Sequence, residues 1–408
     1  MQEIKFCKNC LYSTSHPLGL VLNSENICSG CLVHYEKDLI NWNERWIKLK
    51  NIIKPYRSIT SKVYDCIVPI SGGQDSYFVM HLVKKLGLNP LVVCYNKYFN
   101  TSVGIDNIAN LRIKFNCNVL FQNVNPLSVK KITRNTLTKF GSIYWHILAG
   151  HSVFPVQIAA KYKIPLIIWG AHQGLEQVGM YSHYHEVEMT RRYRKDHDLM
   201  GFEAEDLASV FDNINEEDIF QYIYPDDFTI NQIGIRGIYL GNYVRWDPKA
   251  QHELMIKNYK YKTYKFLRTI DCYDYVDCFN YMNLHDLIKI YKHGYSKITD
   301  HLSREIRFNR IDRNTALKLC RAYEGKSIKF KNVFCNWLGI DEKSLDFILN
   351  FFRNKKFWNE VDVNKWIFNG LSKNNKISFY KKKKKNLHFY SNSKLKNNSS
   401  YITFGKGI

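Results

Sequence analysis

Short apolar runs alternate with segments of helical periodicity through the middle of the chain. Four of these runs have the length and composition of buried strands: residues 64–70, 90–95, 118–122 and 164–169. The segments between them place apolar residues on one face of a helix. A repeated strand–helix order predicts right-handed crossovers, so we expect an α/β fold with a parallel sheet and helices on both faces.

The segments that follow the predicted strands are the candidate site. Ligands of a parallel α/β sheet bind beyond the carboxyl ends of its strands. Three segments occupy that position, namely Ser71–Ser76, Tyr95–Thr101 and Gly170–Glu176. We therefore expect these segments to form one binding site.

Composition limits the class of protein. Of the 408 residues, 45% are hydrophobic and 15% are aromatic, which is enough for a large core. No run approaches the ~20 apolar residues of a membrane span. The first residues lack the apolar stretch of a secretory signal, so we expect a cytoplasmic protein whose cysteines stay reduced.

The net charge of +22 is unevenly distributed. Residues 371–408 contain ten lysines and no acidic residue, which leaves +12 for the rest of the chain. A basic surplus is typical of proteins that bind nucleic acid, anionic membranes or phosphorylated substrates. A solvated basic surface explains it equally well, and we do not expect a nucleic-acid partner.

Four cysteines have the spacing of zinc ligands. Cys7 and Cys10 are separated by two residues, as are Cys28 and Cys31. Two such pairs supply the four thiolates of a tetrahedral structural Zn²⁺ site, so residues 1–35 are predicted to form a zinc ribbon. Without a metal ion this short segment would have almost no core.

The segment Ser71–Ser76 has the composition of a phosphate-binding loop. Its two glycines let the backbone turn sharply, and the helix that follows offers free N–H groups to an anion. Asp75, beside a polyphosphate, is suited to Mg²⁺. The order strand, loop, helix favours this interpretation over an ordinary glycine-rich turn. The residues predicted to hold the nucleotide phosphates are Ser71, Gly72, Gly73, Gln74, Asp75 and Ser76.

The segment after the fourth predicted strand carries polar residues suited to a substrate. His172 and Glu176 can bind or polarise it. Four basic residues further along are suited to a carboxylate or a phosphate: Arg191, Arg192, Arg194 and Lys195. A solvated helix face is the alternative explanation for this basic cluster.

The sequence Ser-Gly-Gly-Gln-Asp-Ser resembles the PP-loop of the ATP pyrophosphatases, whose fold is of the adenine-nucleotide alpha-hydrolase (HUP) type. These enzymes cleave ATP between the α- and β-phosphates and transfer AMP to a carbonyl oxygen. Several relatives have Lys where this chain has Gln74, so another cation is needed near the pyrophosphate. The basic candidates nearest in sequence are Lys84, Lys85 and Lys97.

A wider stretch, from Tyr64 to Gly325, resembles the N-acetyl sugar amidotransferase family of surface-polysaccharide and flagellar-glycan biosynthesis. This family includes pseudaminic acid and O-antigen types, and segment 172–207 looks nearest to the former. The similarity rests on the cysteine pairs and on PISGGQDSYF (69–78), IIWGAHQGLEQVGM (167–180), EVEMTRRYRKDHDLMGFEAEDL (186–207), IYLGNYVRWD (238–247) and HGYSKITDHLSREIR (293–307).

The resemblance implies an ATP- and Mg²⁺-dependent enzyme. It would convert an N-acetyl group of a sugar of the pseudaminic or legionaminic acid type to an acetamidino group, by adenylylation and ammonia attack. It implies catalytic roles for Asp75 and Lys297, and a place near the adenine for Tyr95 and Asn96. The residues implied in substrate binding are His172, Glu176, Arg191, Arg192 and Arg307.

The source of ammonia is expected to be a separate subunit. No cysteine lies in a Gly-flanked nucleophile turn with a paired histidine, and Cys7 is not N-terminal. We therefore expect a glutaminase partner similar to that of imidazole glycerol phosphate synthase. Two alternatives remain open: a PP-loop tRNA thiolation enzyme, which would need a catalytic cysteine pair or a second zinc module, and a non-catalytic nucleic-acid-binding protein.

These observations together divide the chain into five predicted regions. They are a zinc ribbon at 1–35, a linker helix at 36–58, a PP-loop ATP pyrophosphatase domain at 59–270, a helical C-terminal region at 271–370 and a disordered basic tail at 371–408.

Overall fold

A five-stranded parallel sheet forms the centre of the protein. The computed structural model describes residues 4–57, 63–362 and 365–371. The strands lie in the order β3-β2-β1-β4-β5, and every neighbouring pair is parallel. The predicted α/β fold with a parallel sheet is confirmed. The strand bounds are β1 Cys66–Ile70, β2 Pro90–Tyr95, β3 Val119–Gln122, β4 Leu166–Trp169 and β5 Arg236–Tyr239.

Helices surround the sheet and continue beyond its last strand. A π-helical turn, Arg194–Asp198, directly follows the short helix α8. In chain order the helices are α1 Ser29–Leu39, α2 Trp42–Ile53, α3 Gln74–Lys85, α4 Ser102–Phe115, α5 Pro126–Phe140, α6 Trp145–Tyr162, α7 Gln173–Glu176, α8 Arg191–Tyr193, α9 Ala204–Val210, α10 Glu216–Ile219, α11 Asp227–Ile233, α12 Pro248–Tyr259, α13 Leu284–His293, α14 Lys297–Arg307, α15 Arg313–Glu324, α16 Lys331–Leu338 and α17 Glu342–Phe351.

The two faces of the sheet belong to two core clusters. Ile67 and Ile167 lie in one cluster, together with Val156 of α6. Their neighbours Val68 and Ile168 lie in the other, which also contains the apolar face of α3. Successive strand residues point to opposite faces, so this division requires helices on both sides of the sheet.

The linker between the cysteine-rich segment and the sheet contains two helices where the sequence predicts one. The predicted helix covers 36–58, of which residue 58 lies outside the described residues. The chain leaves α1 after Leu39, and the side chain of Asn41 then accepts hydrogen bonds from the N–H groups of Asn43 and Glu44. This N-cap starts α2 as a separate helix.

The sequence pattern does not predict three further strands. The run that forms β5 is only four residues long and contains a glycine, and its pairing with β4 stabilises it as a strand. Region 271–370 contains helices α13 to α17, but also an antiparallel hairpin, β6 Trp358–Asp362 and β7 Lys365–Phe368. The predicted tail lies outside the described residues from 372 onward.

Helices that could span a membrane are absent from residues 4–57, 63–362 and 365–371. No helix there combines the length and the apolar character that crossing a bilayer requires.

Gly150 of α6 lets this helix pack closely on the sheet. A Cβ atom at this position would lie 2.2 Å from the ring of Tyr95. The ring is held in place because its hydroxyl is hydrogen-bonded to His146 at 3.0 Å and to Tyr222 at 2.8 Å. We expect Gly150→Ala to lower the free energy of unfolding by roughly 1–3 kcal/mol, measured by urea denaturation.

A second substitution tests the cause of this loss. The double variant Gly150→Ala/Tyr95→Leu, compared with Tyr95→Leu alone, is expected to show a smaller effect of the alanine, since the clashing ring is absent. An unchanged alanine effect in the two backgrounds would assign the loss to something other than the Tyr95 ring.

Candidate active site

The predicted phosphate loop joins the carboxyl end of β1 to the start of α3. Gly72 has a φ of +90°, and a Cβ atom there would lie 2.8 Å from the carbonyl oxygen of Gly104, so glycine is required. The N–H of Ser71 donates to Ser76 Oγ at 3.0 Å, and the N–H of Gly73 donates to Ser71 Oγ at 3.3 Å. Helix α3 has no side-chain cap, so its first turn is available to an anion.

Two adjoining cavities lie beside this loop. The larger, about 470 Å³, is lined by loop residues, by parts of segment 169–198 and by α14. The smaller, about 180 Å³, shares Ser71, Asp75 and Trp169 with it. Each of the three segments predicted to form the site contributes residues to these cavities; from the second segment they are Tyr95 and Lys97.

Asp75 lines both cavities. Burial and the nearby Asp274 raise the pKa of its carboxyl to about 7, although Arg304 acts in the opposite direction. Gln74 donates its side-chain amide to Asp274 and, at 3.4 Å, to Asp75 Oδ1. The side chain of Gln74 is therefore held by carboxyl groups of the protein.

Lys97 is the candidate cation that the fold brings to the loop. It is buried, lines the larger cavity and forms an ion pair with Asp277. Asp277 contacts the loop itself, since a Cβ atom on Gly73 would lie 3.3 Å from its Oδ1. Burial lowers the pKa of Lys97. The other two candidates, Lys84 and Lys85, line neither cavity.

Aspartates of segment 271–277 pack against the loop, and the sequence analysis did not identify them. Arg304 donates to Asp271 at 2.6 Å and to Asp274 at 2.8 Å, and His301 Nε2 lies 3.3 Å from Asp274. Burial acts to raise the pKa of Asp274, but Arg304 and His301 outweigh it and hold this pKa below its ordinary value. Asp271, Asp274 and His301 have the spacing of metal ligands, yet Arg304 already donates hydrogen bonds to both aspartates.

His172 and Glu176, two predicted substrate residues, line the larger cavity. Burial lowers the pKa of His172 to about 4, so its imidazole is neutral at pH 7. Glu176 Oε2 forms an ion pair with Lys37 at 2.6 Å. Its Oε1 is buried and has no hydrogen-bond partner among the described residues. The cavity therefore has a neutral imidazole and a carboxylate oxygen beside it.

Arg191 and Arg192, also predicted to bind substrate, line neither cavity. Arg191 is hydrogen-bonded to both carboxylate oxygens of Glu203. The side chain of Arg192 is 92% exposed and lies 3.6 Å from Asp196. The structure therefore does not bring these two arginines to the site.

Of the remaining predicted residues, some line a cavity and one does not. Tyr95 lines the smaller cavity, whereas Asn96 lines neither and donates its amide to Asn123 at 2.8 Å. Lys297 lines the larger cavity, and its Nζ donates to the hydroxyl of Tyr281 at 2.8 Å. Of these residues, only Tyr95 and Lys297 have side chains beside a cavity.

The four paired cysteines come together in one buried cluster. Sγ of Cys7 lies 4.0 Å from that of Cys31, and Sγ of Cys10 lies 3.6 Å from that of Cys28. A tetrahedron of sulfur atoms around Zn²⁺, with Zn–S bonds of ~2.3 Å, has edges of about 3.8 Å. The donor set and its geometry therefore fit a structural Zn²⁺ ion.

Arg307, predicted to bind substrate, lines the larger cavity and also contacts this cluster. Its guanidinium donates to Cys31 Sγ at 3.4 Å and to Cys28 Sγ at 3.6 Å. It also donates to the carbonyl oxygens of Glu176 and Gln177 at 3.0 and 2.9 Å. One side chain thus links the cysteine cluster to the end of α7.

The N-terminal segment forms part of the cavity wall. Tyr12 and His34 line the larger cavity, and Tyr12 donates its hydroxyl to Asp300 at 2.9 Å. Ser29 donates to the carbonyl oxygen of Val178 at 2.6 Å. The cysteine cluster therefore stabilises a wall of the candidate site.

Comparisons with known proteins give one family match. Residues 254–372 match the family described as LPS biosynthesis protein WbpG-like, C-terminal domain. None of the curated proteins matches the chain. The NMN synthetase structure from Francisella tularensis aligns at 12% identity and a TM-score of 0.28, covering 54% of this chain and 96% of that chain. The NH3-dependent NAD synthetase of Campylobacter jejuni aligns at 13% and 0.28, covering 48% and 92%.

We expect Asp75→Asn to raise the melting temperature of the nucleotide-free protein at pH 8. The ordinary pKa of the carboxyl is 3.8, and in the folded protein it is about 7. Stability therefore falls as the pH rises between these values, and the full loss is present above pH 7. Asparagine removes the charge, so the gain should be larger at pH 8 than at pH 5.

The measurement is differential scanning fluorimetry at both pH values. The exposed Asp212 serves as the control, and Asp212→Asn should give the same small shift at pH 5 and at pH 8. A loss of stability in Asp75→Asn at pH 8 would contradict the raised pKa.

Arg307→Met should weaken retention of Zn²⁺. The substitution removes hydrogen bonds to three cysteine sulfur atoms, and loss of such an outer partner typically lowers metal affinity by about 10- to 100-fold. Chelator competition on the purified protein measures this. Arg313→Met is the matched control, because within the described part of the chain Arg313 donates to the backbone oxygens of Cys7 and Cys10 and to no cysteine sulfur. Equal zinc loss from both variants would refute a specific role for Arg307.

Proposed function

We propose that this protein is an ATP-dependent amidotransferase that converts the N-acetyl group of a bacterial surface-glycan sugar to an acetamidino group. The observation that carries this proposal is one shared cavity. Three of the segments that resemble the N-acetyl sugar amidotransferases, 69–78, 167–180 and 293–307, line it together. Its volume lies in the range of small-molecule sites.

The loop at the start of α3 would hold the triphosphate. Its backbone N–H groups suit phosphate oxygens, and Asp75 would hold Mg²⁺. When bound, Mg²⁺ neutralises phosphate charge and favours departure of pyrophosphate. Lys97 is placed to provide the positive charge that Gln74 lacks, by exchanging part of its contact with Asp277 for a phosphate oxygen.

Activation is needed because an amide carbon is a poor electrophile. The amide oxygen of the sugar would attack the α-phosphorus of ATP, and pyrophosphate would leave. Ammonia would then attack the activated carbon, and the C–O bond would break, so that the oxygen departs with AMP. The nitrogen of the original amide is retained, and the product is an amidine.

His172 and Glu176 are placed to handle ammonia and the sugar. A neutral imidazole can hydrogen-bond a substrate without adding positive charge, and its low pKa keeps His172 in that state. The free Oε1 of Glu176 can accept a proton from attacking ammonia, while Lys37 holds the other oxygen in position. Lys297, beside the same cavity, would contact the phosphate or the acyl group.

The biological setting follows from two resemblances. The matched C-terminal domain carries a name from lipopolysaccharide biosynthesis, and segment 172–207 looks like the pseudaminic acid branch. We propose a cytoplasmic step on a nonulosonic acid of the pseudaminic or legionaminic type. A separate glutaminase subunit would supply the ammonia.

The cysteines argue against tRNA thiolation, the main alternative. That chemistry would need a cysteine at the nucleotide site. All eleven cysteines lie among the described residues, and none of them lines either cavity. The sulfur atoms of this chain therefore do not support a sulfur-transfer site.

The test is incubation of candidate acetamido sugars with ATP, Mg²⁺ and ammonium. We expect AMP and pyrophosphate in equal amounts, and a sugar product of lower mass because NH replaces O. Asp75→Ala should reduce pyrophosphate release by roughly 100-fold or more, since the loop loses its carboxylate. Asp212→Ala is the control and should retain full activity. Formation of ADP in place of AMP, or full activity of Asp75→Ala, would overturn the assignment.

A further inference from the structure

One buried arginine beside the larger cavity has more hydrogen-bond donors than partners. Arg194 is 5% exposed and lines this cavity. Its Nη2 donates to Glu203, but its Nε and Nη1 are buried with no hydrogen-bond partner among the described residues. Buried donors without acceptors are costly, so this position needs an acceptor that the described chain does not provide.

Glu203 does not fully neutralise the charge of Arg194, because its carboxylate also pairs with a second arginine. Arg191 donates to its carboxylate through Nε at 3.0 and 3.2 Å and through Nη2 at 2.8 Å. One carboxylate thus faces two guanidinium groups. Only Arg194 of these two borders the cavity. The surplus positive charge therefore lies on the cavity side.

The other groups around Arg194 do not remove this surplus. Asp198 lines the same cavity, but the one ion pair of Arg194 within the described residues is with Glu203. Burial raises the pKa of Asp198 to about 7, although Arg194 acts to lower it. The guanidinium lies 4.5 Å from the centre of the Tyr224 ring, on a surface that excludes water. Burial also lowers the pKa of Arg194, as expected for a cation without sufficient counter-charge.

The cavity wall near Arg194 combines aromatic faces with free polar edges. His172 packs against Tyr193 and Tyr239, with ring centres 4.3 and 4.8 Å apart. Trp169 lines the cavity, and its Nε1 is buried without a partner among the described residues. Such a surface suits a ligand that has both apolar faces and hydroxyl groups.

We propose that Arg194 binds an anionic group of the sugar, a carboxylate or a phosphate, and so restricts the enzyme to acidic acetamido sugars. This inference rests on the proposed function, because it names the class of sugar that enters the same cavity. A guanidinium is suited to both groups through charge-assisted hydrogen bonds. Arg191 and Arg192, which the sequence favoured for this role, lie outside the cavity.

The experiment measures sugar binding by isothermal titration calorimetry on the full chain, without turnover. N-acetylneuraminic acid is compared with its methyl ester, and N-acetylglucosamine 1-phosphate with N-acetylglucosamine. The members of each pair differ mainly in one anionic group, a carboxylate in the first pair and a phosphate in the second, so the two pairs separate a carboxylate site from a phosphate site. We expect the acidic member of at least one pair to bind about 10- to 100-fold more tightly than the neutral member.

Variants assign this preference to Arg194. Arg194→Gln should reduce binding of the preferred acid to the level of its neutral partner, and Arg194→Lys should retain part of the preference. Arg192→Gln is the matched control, because its side chain is exposed. Binding of a non-hydrolysable ATP analogue should be unchanged in all three, which also shows that each variant is folded.

Equal affinity for acidic and neutral sugars, no binding of either acid, or an intact preference in Arg194→Gln would each overturn the proposal. If Arg194→Gln does not fold, Arg194→Lys serves in its place, and an acid preference in that variant as large as in the unmodified chain would overturn the proposal. Acid-selective binding without AMP formation would keep the Arg194 assignment and remove the amidotransferase. AMP formation with neutral sugars alone would keep the amidotransferase and remove the Arg194 assignment.

Discussion

Buried charge at the carboxyl edge of the sheet is the constraint on which this structure depends. An ionised group removed from water loses several kcal/mol of solvation unless a partner replaces it. Lys97 has Asp277, Arg304 has Asp271 and Asp274, and Lys37 has Glu176. These pairs lie beside or against the phosphate loop, so the electrostatics are in place before a ligand arrives. Under the proposed function, a triphosphate with its metal ion would exchange partners with groups that are already fixed.

The same constraint explains why the N-terminal segment is part of the site. Four thiolates around one divalent ion carry net negative charge, and the buried Arg307 faces them. The remaining donors of Arg307 hold the carbonyl oxygens at the end of α7, and Lys37 of α1 holds the carboxylate of Glu176. Loss of the cluster would therefore disturb the wall that carries Glu176. The four cysteines lie close together in sequence, which suggests an independent module. In the structure the cluster is not independent, because Arg307, from a distant part of the chain, balances its charge.

Sequence reasoning works here where the signal is local. Strands β1 to β4, the loop with Gly72 and the two cysteine pairs all have a pattern within a few residues, and the structure places them as expected. Strand β5 has only a short run with a glycine and is stabilised by its neighbour β4. The aspartates at 274 and 277 pack against a loop some 200 residues earlier. Their spacing of three in an aromatic segment was visible, but nothing local indicates what they contact.

The basic cluster after α7 shows that the sequence positions of arginines do not determine which of them binds a ligand. Arg191 and Arg194 are three residues apart on one helical turn, so both reach the same carboxylate, whereas Arg192 points away to solvent. The first is hydrogen-bonded to both oxygens of Glu203 and is partly exposed to solvent, and the second keeps two donors unused in a buried position. A matched arginine supports the fold and an exposed one costs little to leave in water. Only a desolvated arginine with unmet donors requires a ligand, and this difference is set by the position of Glu203, nine residues further along the chain.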